Sequence, residues 1–221
     1  MPKASRRKFL GAAAGTAVVA ALKPSELFAG KDRSISLPQP STENTESLMS
    51  ALRNRKSTRS FSDKPIPGQM LSDLLWAAFG VNRPEFGYRT APSPKNSQEI
   101  EIYLAKADGL YLYDPFLHQL ACISSDDIRH FCGTQKFVAK APLNLIYVAD
   151  FSRLGNRKEE KKLFYAAADT GFISQNVYLF CAAFGLGTVV RDWINRPVLA
   201  KKAKLNKDQR IILAQTIGFP G

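Results

Sequence analysis

The chain has 221 residues, 45% of them hydrophobic and 23% charged, with a formal net charge of +12. That length and balance describe a single globular domain and exclude a long disordered region. Three cysteines without a C-x-x-C pair and two histidines without ligand-spaced companions argue against a metal centre.

The amino terminus carries Ser5-Arg6-Arg7-Lys8-Phe9-Leu10, a twin-arginine export pattern, and then a weakly apolar run over residues 9–22. Fourteen residues are too few to span a bilayer, which needs roughly 20. A basic start, a short apolar middle and a small residue at Ala29 define residues 1–29 as a signal peptide. It is either cleaved after Ala29 or kept as a membrane anchor, and the expected location is the periplasm. Five cations and Glu26 leave with that segment, so about +8 remains on the mature chain. Such an excess attracts anionic ligands or partners. The cluster Lys201, Lys202, Lys204 and Lys207 lacks interleaved aromatics, so nucleic acid is not an expected partner.

Residues 30–44 are polar, contain two prolines and read as a linker to a domain over 45–221. Asn44 or Thr45 is placed to cap a short helix through Leu48 and Leu52. Next comes Arg55-Lys56-Ser57-Thr58-Arg59-Ser60-Phe61, rich in cations and hydroxyls. It is either an exposed basic loop or an anion cradle, in which guanidinium forks and hydroxyls surround phosphate oxygens. Residues 70–79 have helical apolar spacing, with Gly80 as a stop. A proline- and amide-rich loop over residues 90–98 leads into a strand at 100–104, whose alternation predicts burial on one face. Asp108-Gly109 predicts a hairpin to a second strand at 110–113. Further strands are expected at 118–123 and 142–149, with a short helix at 126–131 between them. Export to an oxidising compartment permits a Cys122–Cys132 disulfide.

Residues 163–184 are apolar on nearly every side, which predicts a buried helix ~33 Å long. Asp169, Gln175 and Asn176 within it argue against lipid as its surroundings. It is the central helix either of a core or of a dimer interface, and Gly185 is suited to end it in a left-handed turn. A β-branched strand at 187–190, a helix at 197–204 and a strand at 210–217 complete the chain. The expected fold class is α+β, a mostly antiparallel sheet packed by helices around a long central helix.

In this order these segments resemble the nitroreductase-like flavoproteins. The carriers are Arg55-Lys56-Ser57-Thr58-Arg59-Ser60-Phe61, Ala91-Pro92-Ser93-Pro94-Lys95-Asn96-Ser97-Gln98, Asp169-Thr170-Gly171 with Gln175-Asn176, Gly185-Leu186-Gly187-Thr188, and Ile217-Gly218-Phe219-Pro220. Gly109-Leu110-Tyr111-Leu112-Tyr113-Asp114-Pro115 is most similar to the branch with the azoline dehydrogenases of peptide tailoring. The resemblance implies FMN as cofactor and hydride transfer to a small-molecule substrate. It assigns Arg55, Lys56, Ser57 and Arg59 to FMN, with Arg55 and Ser57 toward the phosphate and ribityl chain and Arg59 toward the N1/O2 edge. Pro92, Ser93 and Asn96 resemble a loop that reaches the flavin from the second subunit of a homodimer. Val189, Val190 and Arg191 stand where the family places backbone amides near flavin N5, and no catalytic side chain is implied. Two departures stand out. The chain stops at Gly221 where the family continues with basic residues, and Val190 and Arg191 replace a glycine often found near N5. A flavin-binding scaffold without turnover is the alternative on the same fold, and a binder of acidic surface polymers a third reading. In the periplasm the electron donor is expected to be a quinol, a redox protein or the substrate itself.

Overall fold

The computed structural model describes residues 34–41 and 46–221. The export segment, together with Asn44 and Thr45, lies outside the described residues. Among the described residues no helix is long and apolar enough to cross a membrane.

The strands are β1 (Ser34–Ser36), β2 (Val81–Arg83), β3 (Tyr88–Arg89), β4 (Ile100–Lys106), β5 (Gly109–Asp114), β6 (Gln119–Ser124), β7 (Leu143–Asp150), β8 (Gly187–Arg191) and β9 (Gln209–Gly218). The helices are α1 (Leu48–Asn54), α2 (Gly68–Phe79), α3 (Lys136–Lys140), α4 (Glu159–Ala183) and α5 (Arg196–Lys202). Seven strands form one sheet in the order β1-β6-β5-β4-β7-β9-β8, each pair antiparallel, and β2 and β3 make a separate hairpin. The architecture is α+β, with β7 among the inner strands as its apolar run over 142–149 predicts.

Strands β4 and β7 are buried on both faces, not one. Ile100, Ile102 and Leu104 of β4, with Leu143, Leu145 and Tyr147 of β7, pack beneath α2 and α4. Tyr103, Ala105, Ile146 and Val148 face a second cluster with Ile128, Cys132, Val138 and Leu199. That second face is covered by α3, which sequence periodicity did not reveal, together with residues of the expected helices at 126–131 and 197–204. Alternation in β4 therefore sorts residues between two cores instead of between core and solvent.

The hairpin between β4 and β5 forms with Ala107 and Asp108 at its tip, Lys106 paired to Gly109. Helix α1 is capped by Ser47, whose Oγ accepts from the Ser50 amide, in place of the expected Asn44 or Thr45. Residues 34–41 are not a free linker: β1 pairs with β6, the Leu37 amide donates to the His118 carbonyl, and the Ser41 amide donates to Asp73. The three cysteines are free. Cys122 packs with the α2/α4 core and Cys132 in the opposite core, so the sheet itself separates the two sulfurs that an oxidising compartment would permit to pair.

Helix α4 runs 25 residues and ends as the sequence predicts: Gly185 has φ 70° and the Leu186 amide donates to the Cys181 carbonyl. Ala166, Ile173, Val177, Phe180 and Cys181 are buried. Its other side is open within one chain. Phe164 is 61% exposed and Phe172 49%, and Leu48, Met49 and Leu52 of the adjoining α1 are exposed too. The helix, expected at the centre of a core or of a dimer interface, thus leaves one apolar stripe uncovered within one chain.

Candidate functional site

The basic loop that follows α1 lies along the outer edge of β8. Ser57 bridges to Thr188 in parallel, and the Thr58 amide donates to the Thr188 carbonyl at 2.9 Å. Farther on, the Gly221 amide donates to the Ser60 carbonyl, Phe61 bridges to Pro220, and the Ser62 amide donates to the Phe219 carbonyl. The approach is close: a Cβ on Gly187 would stand 2.8 Å from the Thr58 side chain. Backbone bonds therefore fix the loop without calling on its cationic side chains for carboxylate pairing. Among the described residues no carboxylate pairs with Arg55, Lys56 or Arg59. Unpaired cations in so short a stretch, on a braced loop, are the chemistry of an anion site.

Tyr178 of α4 joins this loop to β8. Its hydroxyl lies 2.9 Å from Ser57 Oγ and accepts from the Val190 amide at 3.0 Å, and the Arg55 guanidinium sits 5.3 Å from its ring centroid. Sequence reasoning used Tyr178 only as part of the apolar helix. Its position two residues past Asn176 gave no signal of a polar role.

Val189, Val190 and Arg191 are the last three residues of strand β8, which runs one residue past the expected strand at 187–190. Val189 is buried. Arg191 turns its side chain into the interior, where Nε donates to Thr216 Oγ1 at 2.9 Å, Nη1 to the Cys132 carbonyl at 2.8 Å and Nη2 to Asn144 Oδ1 at 3.0 Å. Burial lowers its pKa to about 10. All three nitrogens are committed, so Arg191 is a structural brace and not a ligand contact through its side chain. Of the three residues only Val190 directs its amide outward, toward Tyr178.

Pro92, Ser93 and Asn96 belong to a separate, strained loop. Lys95, Asn96 and Gln98 all have φ near +50°, a region that non-glycine residues seldom occupy. Internal bonds hold them there: the Gln98 amide donates to Ser93 Oγ, and Gln98 Nε2 donates to Asn96 Oδ1 and to the Gly87 carbonyl. Arg89 Nε donates to Gln98 Oε1. Ser97 Oγ donates to Glu99 Oε2 at 2.7 Å. Glu99 is fully buried beside Asp169 of α4, and each of the two carboxyls has one oxygen without a donor. Burial first, and Glu99 second, raise the Asp169 pKa to about 8. One proton shared between the two satisfies both.

Within a protomer the two regions lie at opposite ends of the sheet. The strained loop enters β4 at Ile100, opposite Ala149 of β7, whereas Thr188 pairs with Ile217, which pairs with Leu143. Six residues of β7 separate those levels, roughly 20 Å at the rise of a strand. None of the hydrogen bonds among the described residues joins the two regions.

The site is thus a braced cationic loop on the edge strand of an antiparallel sheet clasped by one long helix. The nitroreductase family model matches residues 52–219, and the chain belongs to that family. A candidate nitroreductase of Methanocaldococcus jannaschii is 33% identical over 152 residues, 64% of this chain and 76% of that protein. The crystal structure of a candidate nitroreductase from Ralstonia eutropha JMP134 is 45% identical with a TM-score of 0.82, covering 87% of this chain and 91% of that one. A chain of the E. coli microcin synthetase McbBCD complex shares the fold at 20% identity and a TM-score of 0.66, covering 97% of this chain and 85% of that one.

Proposed function

We propose that this protein is an exported, homodimeric, FMN-dependent oxidoreductase acting on a small-molecule substrate. The observation that carries the reading is the braced loop with Arg55, Lys56 and Arg59 free of carboxylates. These residues fit the cofactor, since a phosphate needs fixed donors and a positive field, and both are present on one loop. FMN supplies hydride acceptance and release at its N5, so the protein needs to bind, orient and shield it. Arg55, Lys56 and Ser57 hold the phosphate end. Arg59 provides positive charge that favours the reduced flavin, whose extra electron density lies near N1.

The homodimer rests on two observations. The apolar stripe of α4 and α1 is uncovered in one chain, and the loop carrying Pro92, Ser93 and Asn96 lies too far from the basic loop of its own protomer to share one tricyclic ring. A partner whose α4 crosses this one covers the stripe and brings its own strained loop to the cationic edge. Export rests on the Ser5-Arg6-Arg7-Lys8-Phe9-Leu10 pattern. A periplasmic enzyme draws electrons from a quinol, a redox protein or its substrate. The visible spectrum of protein purified from the periplasm tests the proposal. Flavin bands that bleach on reduction and return with an acceptor are expected, and a colourless preparation that refuses added FMN overturns it.

One observation favours a second reading, a flavin-binding scaffold without turnover. The only outward amide of β8 in the region likened to the N5 contact is already bonded to Tyr178. Bound flavin that no quinol, reduced redox protein or chemical reductant can cycle supports that alternative.

A further inference from the structure

We propose that Tyr178 is a positioning residue that turns the hydroxyl proton of Ser57 outward, making Ser57 a committed donor to an anionic oxygen. The inference deepens the reading of the basic loop as a phosphate cradle and rests on it. It follows from counting donors. A backbone amide can only donate, so the Val190 N–H at 3.0 Å makes the Tyr178 oxygen an acceptor. A phenol carries one proton, and Ser57 Oγ at 2.9 Å is the other polar atom hydrogen-bonded to this hydroxyl. Tyr178 is buried, and leaving its proton unused is costly, so it goes to Ser57. Ser57 then accepts on that side, and its own proton points away.

Ser57 lies on the exposed side of the loop between Arg55 and Arg59. Its outward proton joins those cations in selecting acceptors. A phosphate oxygen completes the relay from the Val190 amide through Tyr178 and Ser57, whereas a ligand presenting a donor finds only the remaining lone pair of Ser57 and leaves its proton without an acceptor. Arg55 over the ring face holds the tyrosine in place through the cation–π attraction.

The test titrates FMN, riboflavin and inorganic phosphate into the full chain and into Tyr178→Phe, Ser57→Ala and the double variant. Either single substitution is expected to weaken FMN and phosphate about tenfold, with the double no weaker than the worse single. Riboflavin, which lacks the phosphate, is expected to be unaffected. Additive losses, or a Tyr178→Phe protein that binds phosphate as tightly as the parent, overturn the relay. Parent protein that binds phosphate with this pattern but refuses FMN leaves the relay standing and removes the flavin reading. Parent protein that binds neither anion overturns both. Should Tyr178→Phe not fold, amide exchange at Val190 in the parent decides: protection is expected, and exchange at the rate of a free edge overturns the proposal.

Discussion

Replacing Asp169 with Asn should abolish a specific pH dependence of stability. Asp169 holds its proton in the folded state to about pH 8, against a usual value of 3.8. Between those limits the folded chain binds one proton more than the unfolded chain, so stability falls as pH rises. Each pH unit inside the window costs ~1.4 kcal/mol. Between pH 5 and pH 7 the parent should therefore lose ~3 kcal/mol relative to Asp169→Asn, whose amide donates to Glu99 at either pH. For a domain of this size that amounts to roughly 6–12 °C in Tm. Urea unfolding of both proteins across this range measures it directly. Parallel stability curves for the two would refute the shared proton between Glu99 and Asp169.

Phe172→Glu places a charge in the exposed stripe of α4; sedimentation should show a monomer, and FMN should be lost with the dimer. A monomer that keeps flavin at full affinity refutes a site completed by the partner. Gly187→Ala brings a Cβ to 2.8 Å from Thr58; a cost of ~1–3 kcal/mol and weaker FMN binding are expected, read by thermal unfolding and titration. Arg191→Met strips Asn144, Thr216 and the Cys132 carbonyl of their buried donors. A buried acceptor left without its donor costs ~1–3 kcal/mol, so a clear loss in urea unfolding is expected, and a fully stable variant refutes its role as a brace. His118 has its pKa lowered by burial and bridges Ser72 and Tyr113 beneath the arm at 34–41. Its folded value lies below the unfolded one, so its contribution is full above about pH 6.5 and is lost as pH falls through that region. Limited proteolysis should cut the arm sooner at pH 5 than at pH 7.5, and equal rates refute the link.

The elements legible in the sequence were those whose local chemistry and packing agree. Residues 143–150 carry an uninterrupted apolar run and form an inner strand. Gly185 ends α4 because a left-handed turn is needed one residue past its last cap. The burial of β4 on both faces was not legible, because α3 is too short to show a period and nothing in the expected helices at 126–131 and 197–204 says which face of the sheet they cover. The cap of α1 was misplaced because Ser47, Asn44 and Thr45 are all good cap residues, and residue type alone does not choose among them. The linker at 34–41 has loop composition, yet edge pairing with β6 overrides it through backbone bonds that carry no side-chain signature.

The candidate site divides along the same line. Cations and hydroxyls at 55–59 are visible because charge clusters stand out in any sequence, and the structure keeps them free of carboxylates. Arg191 was assigned only a backbone role near the flavin, and whether its guanidinium is a brace or a ligand depends on which side of an edge strand it points. Register decides that, and one residue of register exchanges the two faces. Tyr178 was hidden for the opposite reason, since a phenol in an apolar helix reads as core until its hydroxyl finds a partner 121 positions away. Buried polar groups of this kind are specified by the fold as a whole: the helix supplies the ring, the strand supplies an amide that can only donate, and the loop receives the remaining proton. The proposed role of the loop therefore depends on atoms in three separate segments, and only its own cations and hydroxyls are visible from composition.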